Sequence, residues 1–370
     1  MISNLVMYVI GSFFVLGAVD YILGNYFNLG NKFEEGIKTM GPLALGIIGI
    51  YSLTPMLLLL LTPVSNLVWT YLRIDPSIIP STLLAMDMGG YELCKNIAMD
   101  SELGSFFGIV IGSSLGATVS FTLPVAFSMT QEQDKNYLSK GIMIGIMSIP
   151  VGIVAAGLWQ RINIIALLWN MTPIIVFSII LGVGLAKAPD LAIKIFKGLG
   201  KLVIGLSGLG LLFQGIHLIY GFEFFGLLVP FEDNMTLVGR VSIILGGAYP
   251  MLEVINRGLK VPLNKLGKKV KLDSTAITSM IGNLASNLLV FGNVKDMNEK
   301  GKVMCIAFGV SGAFIFGGQL AFVASVEPKL MVAFFITKIV SGIVSLILSN
   351  YIMEKQNQQI IIREVMGYGD

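Results

Sequence analysis

Residues 163–186 read NIIALLWNMTPIIVFSIILGVGLA, a run without one charged side chain, bounded by Arg161 before it and Lys187 after it. A helix rises about 1.5 Å per residue and the hydrocarbon layer of a bilayer is about 30 Å thick, so this run is long enough to cross. Outward from it, apolar runs recur at roughly 4–24, 41–62, 104–127, 138–160, 199–220, 239–255, 303–325 and 330–353. The whole chain of 370 residues is 55% hydrophobic and 13% charged, with mean hydropathy +0.81. A soluble domain carries about 25% charged residues, so this chain has too few to cover a water-facing surface. The expectation is an all-α polytopic membrane protein, with the lipid bilayer as its solvent.

The same residues narrow the chemistry. The net charge of +3 is spread over connections rather than gathered on one face, so no nucleic-acid partner is expected. Cys94 and Cys305 stand alone and His217 is the sole histidine, which leaves no metal-spaced cluster and no implied cofactor. No Walker loop or nucleophile elbow appears, so neither an enzyme nor an ATP-driven pump is indicated. Met1-Ile2-Ser3-Asn4 carries no base ahead of the first apolar run, unlike a cleaved signal peptide.

Two further segments are short and polar. Segment 78–93 carries Asp87, Gly89, Gly90 and Glu92, and segment 275–292 carries Asn283, Ser286 and Asn287. Such groups are costly in lipid, so both segments are expected to face protein or water, as re-entrant or broken elements. A shift of 198 positions brings the two into register. It pairs Phe33-Glu34 with Phe231-Glu232, Gly49 with Gly247, Tyr51 with Tyr249, Asp75 with Asp273, Ser81 with Ser279 and Ser113 with Ser311. The reading is two pseudo-symmetric repeats, 1–162 and 191–353, joined by a linking span at 163–190 and followed by a polar tail at 354–370. Interrupted segments at matching places in two repeats point to a transporter site between them. If both short segments cross, the repeats are parallel; if both are re-entrant, they are inverted. The total is about 9–11 transmembrane segments.

Arg257, Lys260, Lys265, Lys268, Lys269 and Lys271 lie in one stretch, and Lys187, Lys194, Lys197 and Lys201 in another. Both are expected on the cytoplasmic side, with the acidic connection Glu223, Glu232, Asp233 outside. The tail from Glu354 is expected to end its helix and then lose order.

Several stretches carry a family resemblance. They are Phe33-Glu34-Glu35-Gly36 with Met40-Gly41, Leu83-Leu84-Ala85-Met86-Asp87-Met88-Gly89-Gly90, Gly247-Ala248-Tyr249-Pro250-Met251, Leu284-Ala285-Ser286-Asn287 with Phe291-Gly292, and Lys295-x-Met297 followed by Gly301-Lys302-Val303. In this order they resemble the ethanolamine permease (EutH) family. The resemblance implies a multi-pass carrier of ethanolamine in the bacterial cytoplasmic (inner) membrane. Where the family often has a histidine after Gly-Asp, this chain has Gly317-Gly318-Gln319-Leu320, and Gln319 cannot titrate.

Ethanolamine is an ammonium at neutral pH, and its site calls for a carboxylate, an aromatic face and amide acceptors. Asp87, beside Gly89, is the candidate carboxylate; its alternative role is to cap a broken helix. Asn283 and Asn287 are four apart, which on a helix is one face; they read as partners for the hydroxyl or as helix–helix bridges. Tyr249 offers a ring or serves packing, and Gln319 projects from mid-segment. Glu34 and Glu35 suit a helix start, as ligands or as solvated caps. Glu92 with Lys95 and Glu253 with Arg257 read as structural pairs, and Asp20 and His217 as interface side chains. Gly108, Gly112 and Gly116 have the spacing of close helix packing. The expected activity is facilitated diffusion of the protonated amine. The alternatives are an ion-coupled carrier of another small amine or solute and an amine-binding membrane sensor; homo-oligomerisation stays open.

Overall fold

In the computed structural model, which describes residues 2–222 and 228–365, the described residues form helices and turns with no strand. The first half comprises α1 (Ile2–Ile22), then α2 (Gly30–Lys38), α3 (Met40–Ser52) and α4 (Thr54–Leu67), which follow one another with single-residue breaks at Thr39 and Leu53. Two short helices, α5 (Ile78–Leu83) and α6 (Tyr91–Ile97), flank a break, and α7 (Ser101–Ile111) leads through two widened turns into α8 (Leu123–Met129). Helix α9 (Lys135–Trp159) closes this half, and α10 (Ile164–Lys187) links it to the next. The second half comprises α11 (Pro189–Tyr220), α12 (Phe231–Lys269), the short pair α13 (Ser274–Gly282) and α14 (Leu288–Asn293), the interrupted pair α15 (Glu299–Ser311) and α16 (Gly318–Val326), and α17 (Met331–Val365). Among the described residues, eight helices are long and apolar enough to cross a membrane.

The two short polar segments are hairpins. Asp75 accepts hydrogen bonds from Ser77 at its own end and from the N–H groups of Met99 and Asp100, both at 3.0 Å, at the far end. The segment therefore returns to the place where it began. Asp273, its partner in the 198-residue frame, does the same: it accepts from Ala276 N–H at 2.8 Å and from Asn298 N–H at 2.7 Å. Two helices of six and seven residues cannot span a bilayer, whereas a hairpin of that size can dip in and come back. The next helices also begin alike. Asp100 caps α7 and Asn298 caps α15 with side-chain oxygens, which satisfies N–H groups that helix starts leave free.

Each hairpin rests on the helix that follows it, and glycines allow the contact. A Cβ at Gly104 would meet Ala98, one at Gly108 would meet Tyr91 and Cys94, one at Gly112 would meet Met86, and one at Gly116 would run into the Leu84 carbonyl. The small-residue stripe thus serves close packing.

One end of the molecule collects the bases. Lys302 pairs with Asp134 at 2.6 Å, Lys135 with Asp190 at 3.7 Å, Lys300 with Glu354 at 3.0 Å, and the Asn298 amide donates to the Lys271 carbonyl. These contacts place 130–135, 187–190, 269–273, 298–302 and residue 354 together, at the end that the basic residues assign to the cytoplasm.

Several expectations change. The basic stretches at 187–201 and 256–271 are mostly helix, because α11 starts at Pro189 and α12 runs on to Lys269. Segment 303–325 is interrupted at 312–317, where glycines break it. The tail stays helical to Val365, continuing α17; residues 366–370, like Glu223 of the acidic connection, lie outside the described residues. Asp20 is buried rather than interfacial, holding the N–H groups of Phe27, Leu29 and Gly30. Glu92 accepts from Asn96 while Lys95 lies over the Tyr91 ring, so these two do not pair. Glu253 and Arg257 do, at 2.9 Å. His217 is half-buried, its ring beside the Phe222 carbonyl.

The tethers make a graded prediction. Asp75→Ala strips acceptors from four hydrogen bonds and Asp273→Ala from two, so both should lower the thermal midpoint in detergent, Asp75→Ala by more. The Asp75→Ala loss is on the order of 2 kcal/mol, since its Ser77 donors are buried, and the Asp273→Ala loss about 1 kcal/mol, since its donors are part-buried or exposed. Equal midpoints for both variants and the parent would show that the hairpins are closed by other contacts.

Candidate functional site

The tip of the first hairpin is set by its backbone. Leu84 and Ala85 are extended, Met88 lies at φ −113°, ψ 45°, and Gly89 at φ +82°. Only glycine takes that last conformation without strain, and a Cβ there would also strike Ile50. Gly89 accordingly shapes the tip and is not itself among the cavity-lining residues. The turn leaves Ala85 N–H free of the helix, and Ser120 Oγ accepts it at 3.0 Å. At the second hairpin, α13 ends at Gly282 and α14 starts after Asn287, so residues 283–287 form the tip. The Asn283 and Leu284 carbonyls accept from Phe314 and Phe316 N–H, binding this tip to the break between α15 and α16.

The two tips and the two interrupted helices enclose a cavity of about 290 Å³. Hairpin one contributes Ala85, Asp87 and Met88; hairpin two contributes Ala285 and Ser286; the interrupted helices contribute Ala117, Phe121, Phe314, Gly318 and Gln319. Tyr249 of α12 and residues of α3 from Pro42 to Ile47 complete the wall. Asp87 is the sole charged residue in that lining, and it forms no ion pair with a described residue. Phe121 and Phe314 meet edge to face at 6.1 Å, and Phe314 holds φ +67°, a strained value for an aromatic residue.

Of the sequence candidates, Asp87, Tyr249 and Gln319 come together in this wall. Asn283 and Asn287 are fully buried beside it, but the helix break removes the shared face that their spacing suggested. Asn283 donates to the Cys305 carbonyl at 3.1 Å, and Asn287 donates across to Thr122 Oγ1 of the other half at 2.9 Å. The side-chain oxygens of Asn283, Asn287 and Gln319 accept no hydrogen bond from a described residue. Buried acceptors left in this state are costly unless something fills them. Glu34 and Glu35 are not in the wall. They pair with Lys38 at 2.8 Å and Lys32 at 2.6 Å on the surface of α2, and the Glu34 hydrogen bond and charge hold the Lys38 ammonium above its ordinary pKa.

Sequence reasoning passed over Lys338. It lies in α17, 2% exposed, and its ammonium donates to the Ser113 carbonyl where the first interrupted helix widens. The signal was present: one lysine inside the apolar run 330–353.

The arrangement suits a small organic cation with a polar end. It offers one carboxylate, two or three aromatic surfaces and unfilled amide oxygens, with no clustered metal ligands among the described residues. The family described as "Ethanolamine utilisation protein, EutH" matches residues 2–352. The chain is 35% identical over 358 residues to "Probable ethanolamine permease EutH" of Listeria monocytogenes serotype 1/2a (strain 10403S), covering 96% of each chain. It is 35% identical to "Uncharacterized protein YxeR" of Bacillus subtilis (strain 168), covering 92% of each. It is 31% identical to "Probable ethanolamine permease EutH" of Escherichia coli (strain K12), covering 96% of this chain and 97% of the relative. No solved structure matches.

Gly89→Ala should lower the thermal midpoint by about 1–3 kcal/mol of stability, because it adds backbone strain to a steric conflict with Ile50. Adding Ile50→Ala should recover part of the loss and leave the φ penalty. Full recovery would mean that sterics alone demanded glycine.

Proposed function

The chain belongs to the EutH family of ethanolamine utilisation proteins, and we propose from that premise that it is a permease carrying ethanolamine as its ammonium ion across the bacterial cytoplasmic membrane. The observation that carries the reading is the single carboxylate, Asp87, in the wall of a cavity between two hairpin tips. A cation drawn from water into so apolar a wall needs a full counter-charge, and Asp87 is the one the wall supplies. Phe121, Phe314 and Tyr249 present ring faces and edges, and a cation over an aromatic face gains about 0.5–2 kcal/mol. The unfilled oxygens of Gln319, Asn283 and Asn287 accept the hydroxyl or remaining ammonium protons.

The halves 1–162 and 191–353, joined by 163–190, act as inverted repeats in this proposal. The Asp75 and Asp273 hairpins support that reading: with both segments re-entrant, four spans and one linker separate equivalent positions, an odd number that reverses direction. Access then alternates as the tips open toward one side and then the other. The chain carries no ATP-binding loop, so flux runs down a gradient that cytoplasmic consumption of the amine sustains.

Uptake of labelled ethanolamine into proteoliposomes tests this. The parent should show saturable uptake; Asp87→Asn, folded by size exclusion, should lose at least about 2 kcal/mol of binding, roughly thirtyfold in affinity. Phe314→Leu should weaken binding by a smaller factor, about two- to fivefold, with uptake retained. Undiminished uptake by Asp87→Asn would remove Asp87 from the site. No uptake by the parent would remove the permease reading.

A further inference from the structure

Lys338 is a buried charge within an apolar run, and the proposed transport cycle has not used it. Its surroundings are small and neutral. Thr337 and Ser341 on either side of it pack on Gly152 of α9, Ser341 donates toward the Ile149 carbonyl, and the Lys338 carbonyl lies against Gly312 beyond α15. The Phe334 ring is 6.0 Å from the ammonium. The ammonium has three protons to donate, and one described acceptor, the Ser113 carbonyl, takes a hydrogen bond from it. Among the described residues Asp87 is the acid whose charge acts on Lys338, although the two do not form an ion pair. The Ser113 carbonyl is available because the helix widens between Gly112 and Gly116, one turn before the cavity residue Ala117.

In the empty carrier the two charges balance: one carboxylate half-buried in the cavity wall, and one ammonium fully buried behind it. A substrate ammonium on Asp87 would leave two cations against one anion in the same apolar interior. Lysine relieves such an excess readily, because its proton can leave while the neutral amine still donates to a carbonyl. Resting on the assignment of Asp87 as the ammonium site, we propose that Lys338 is the proton-exchanging group of the carrier, releasing one proton for each ammonium that Asp87 receives. The step balances as follows: substrate ammonium enters, the lysine N–H bond breaks heterolytically, the nitrogen keeps the electron pair, and the proton leaves to water. On release of the amine inside, Lys338 takes a proton back from the same side and discharges it outward in the next cycle. One cation enters and one proton leaves, so no net charge crosses. The net movement equals that of the neutral amine and draws nothing from the membrane potential. Lys338 thereby supplies within the chain the counter-charge that a coupling ion supplies elsewhere.

Calorimetric titration of the full-length protein with ethanolamine near pH 7, in two buffers of different protonation heat, counts the protons directly. The parent should release about one proton per amine bound, and its affinity should fall roughly tenfold for each unit of acidification while that exchange is complete. Lys338→Met should still bind but release none, with affinity flat in pH. Lys338→Arg, charged throughout, should bind weakly at every pH. In proteoliposomes the parent's uptake should ignore an imposed potential, whereas Lys338→Met should carry current. A parent that binds through Asp87 without releasing a proton, or a Lys338→Met protein that still releases one, overturns the inference and leaves the Asp87 site intact. Binding that survives Asp87→Asn overturns the site first, and this inference with it. The proton count and the response to potential are read on the parent protein, so a variant that fails to fold does not shield the idea.

Discussion

A backbone group freed inside hydrocarbon has no water to turn to, and this constraint organises the centre of the molecule. Four elements break there: two hairpins and two transmembrane helices. Each break is answered from a neighbouring element. Ser120 takes the Ala85 N–H, the Asn283 and Leu284 carbonyls take Phe314 and Phe316, and Lys338 occupies the Ser113 carbonyl. The cavity is what remains between parts that are locked to each other in this way. Its polar atoms exist because the helices are interrupted, and the interruptions persist because their polar atoms are paired.

The pairing also explains the use of small residues. Backbone can answer backbone only at close approach, and Gly116 against Leu84 and Gly317 against Ala285 are contacts with no room for a Cβ. A hairpin returning beside a smooth helix face buries its carbonyls; one returning beside larger side chains would leave them stranded. The Asn287–Thr122 contact ties the second tip to the first interrupted helix, so the two halves share one wall instead of each having its own.

Charge placement follows the same economy. Bases gather at one end of the molecule, where Lys302 with Asp134 and Lys300 with Glu354 close helix starts. Asp87 and Lys338 stand apart from that end, Asp87 in a short polar segment and Lys338 in a run otherwise apolar enough to be taken for packing. Lys338 is held by the Ser113 carbonyl of a widened turn, and Asp87 stands at the broken tip of the first hairpin.

Much was legible in the chain alone. Uncharged runs of helical length declare membrane spans because hydrocarbon excludes charge over a fixed thickness, and that holds whatever the neighbours do. The 198-residue frame marked Asp75 and Asp273 as equivalents, and Asp87, Tyr249 and Gln319 stood out as polar groups in apolar surroundings. The rest depended on approach in space. Asn283 and Asn287 looked like one helical face until the break at Gly282, which the hydrogen bonds from Phe314 and Phe316 N–H to the Asn283 and Leu284 carbonyls help to hold, put them in a turn. Glu34 and Glu35 read as ligands or as solvated caps, and on α2 they pair with Lys38 and Lys32, away from the cavity wall. Hairpin or crossing was undecided until Asp75 reached Met99 and Asp100, a bond between residues that sequence distance does not relate. Periodicity and composition determined that the chain lies in the membrane and which side chains would be expensive there. Tertiary contact decided which of those side chains meet, because the partner that makes a buried polar group affordable comes from another part of the chain.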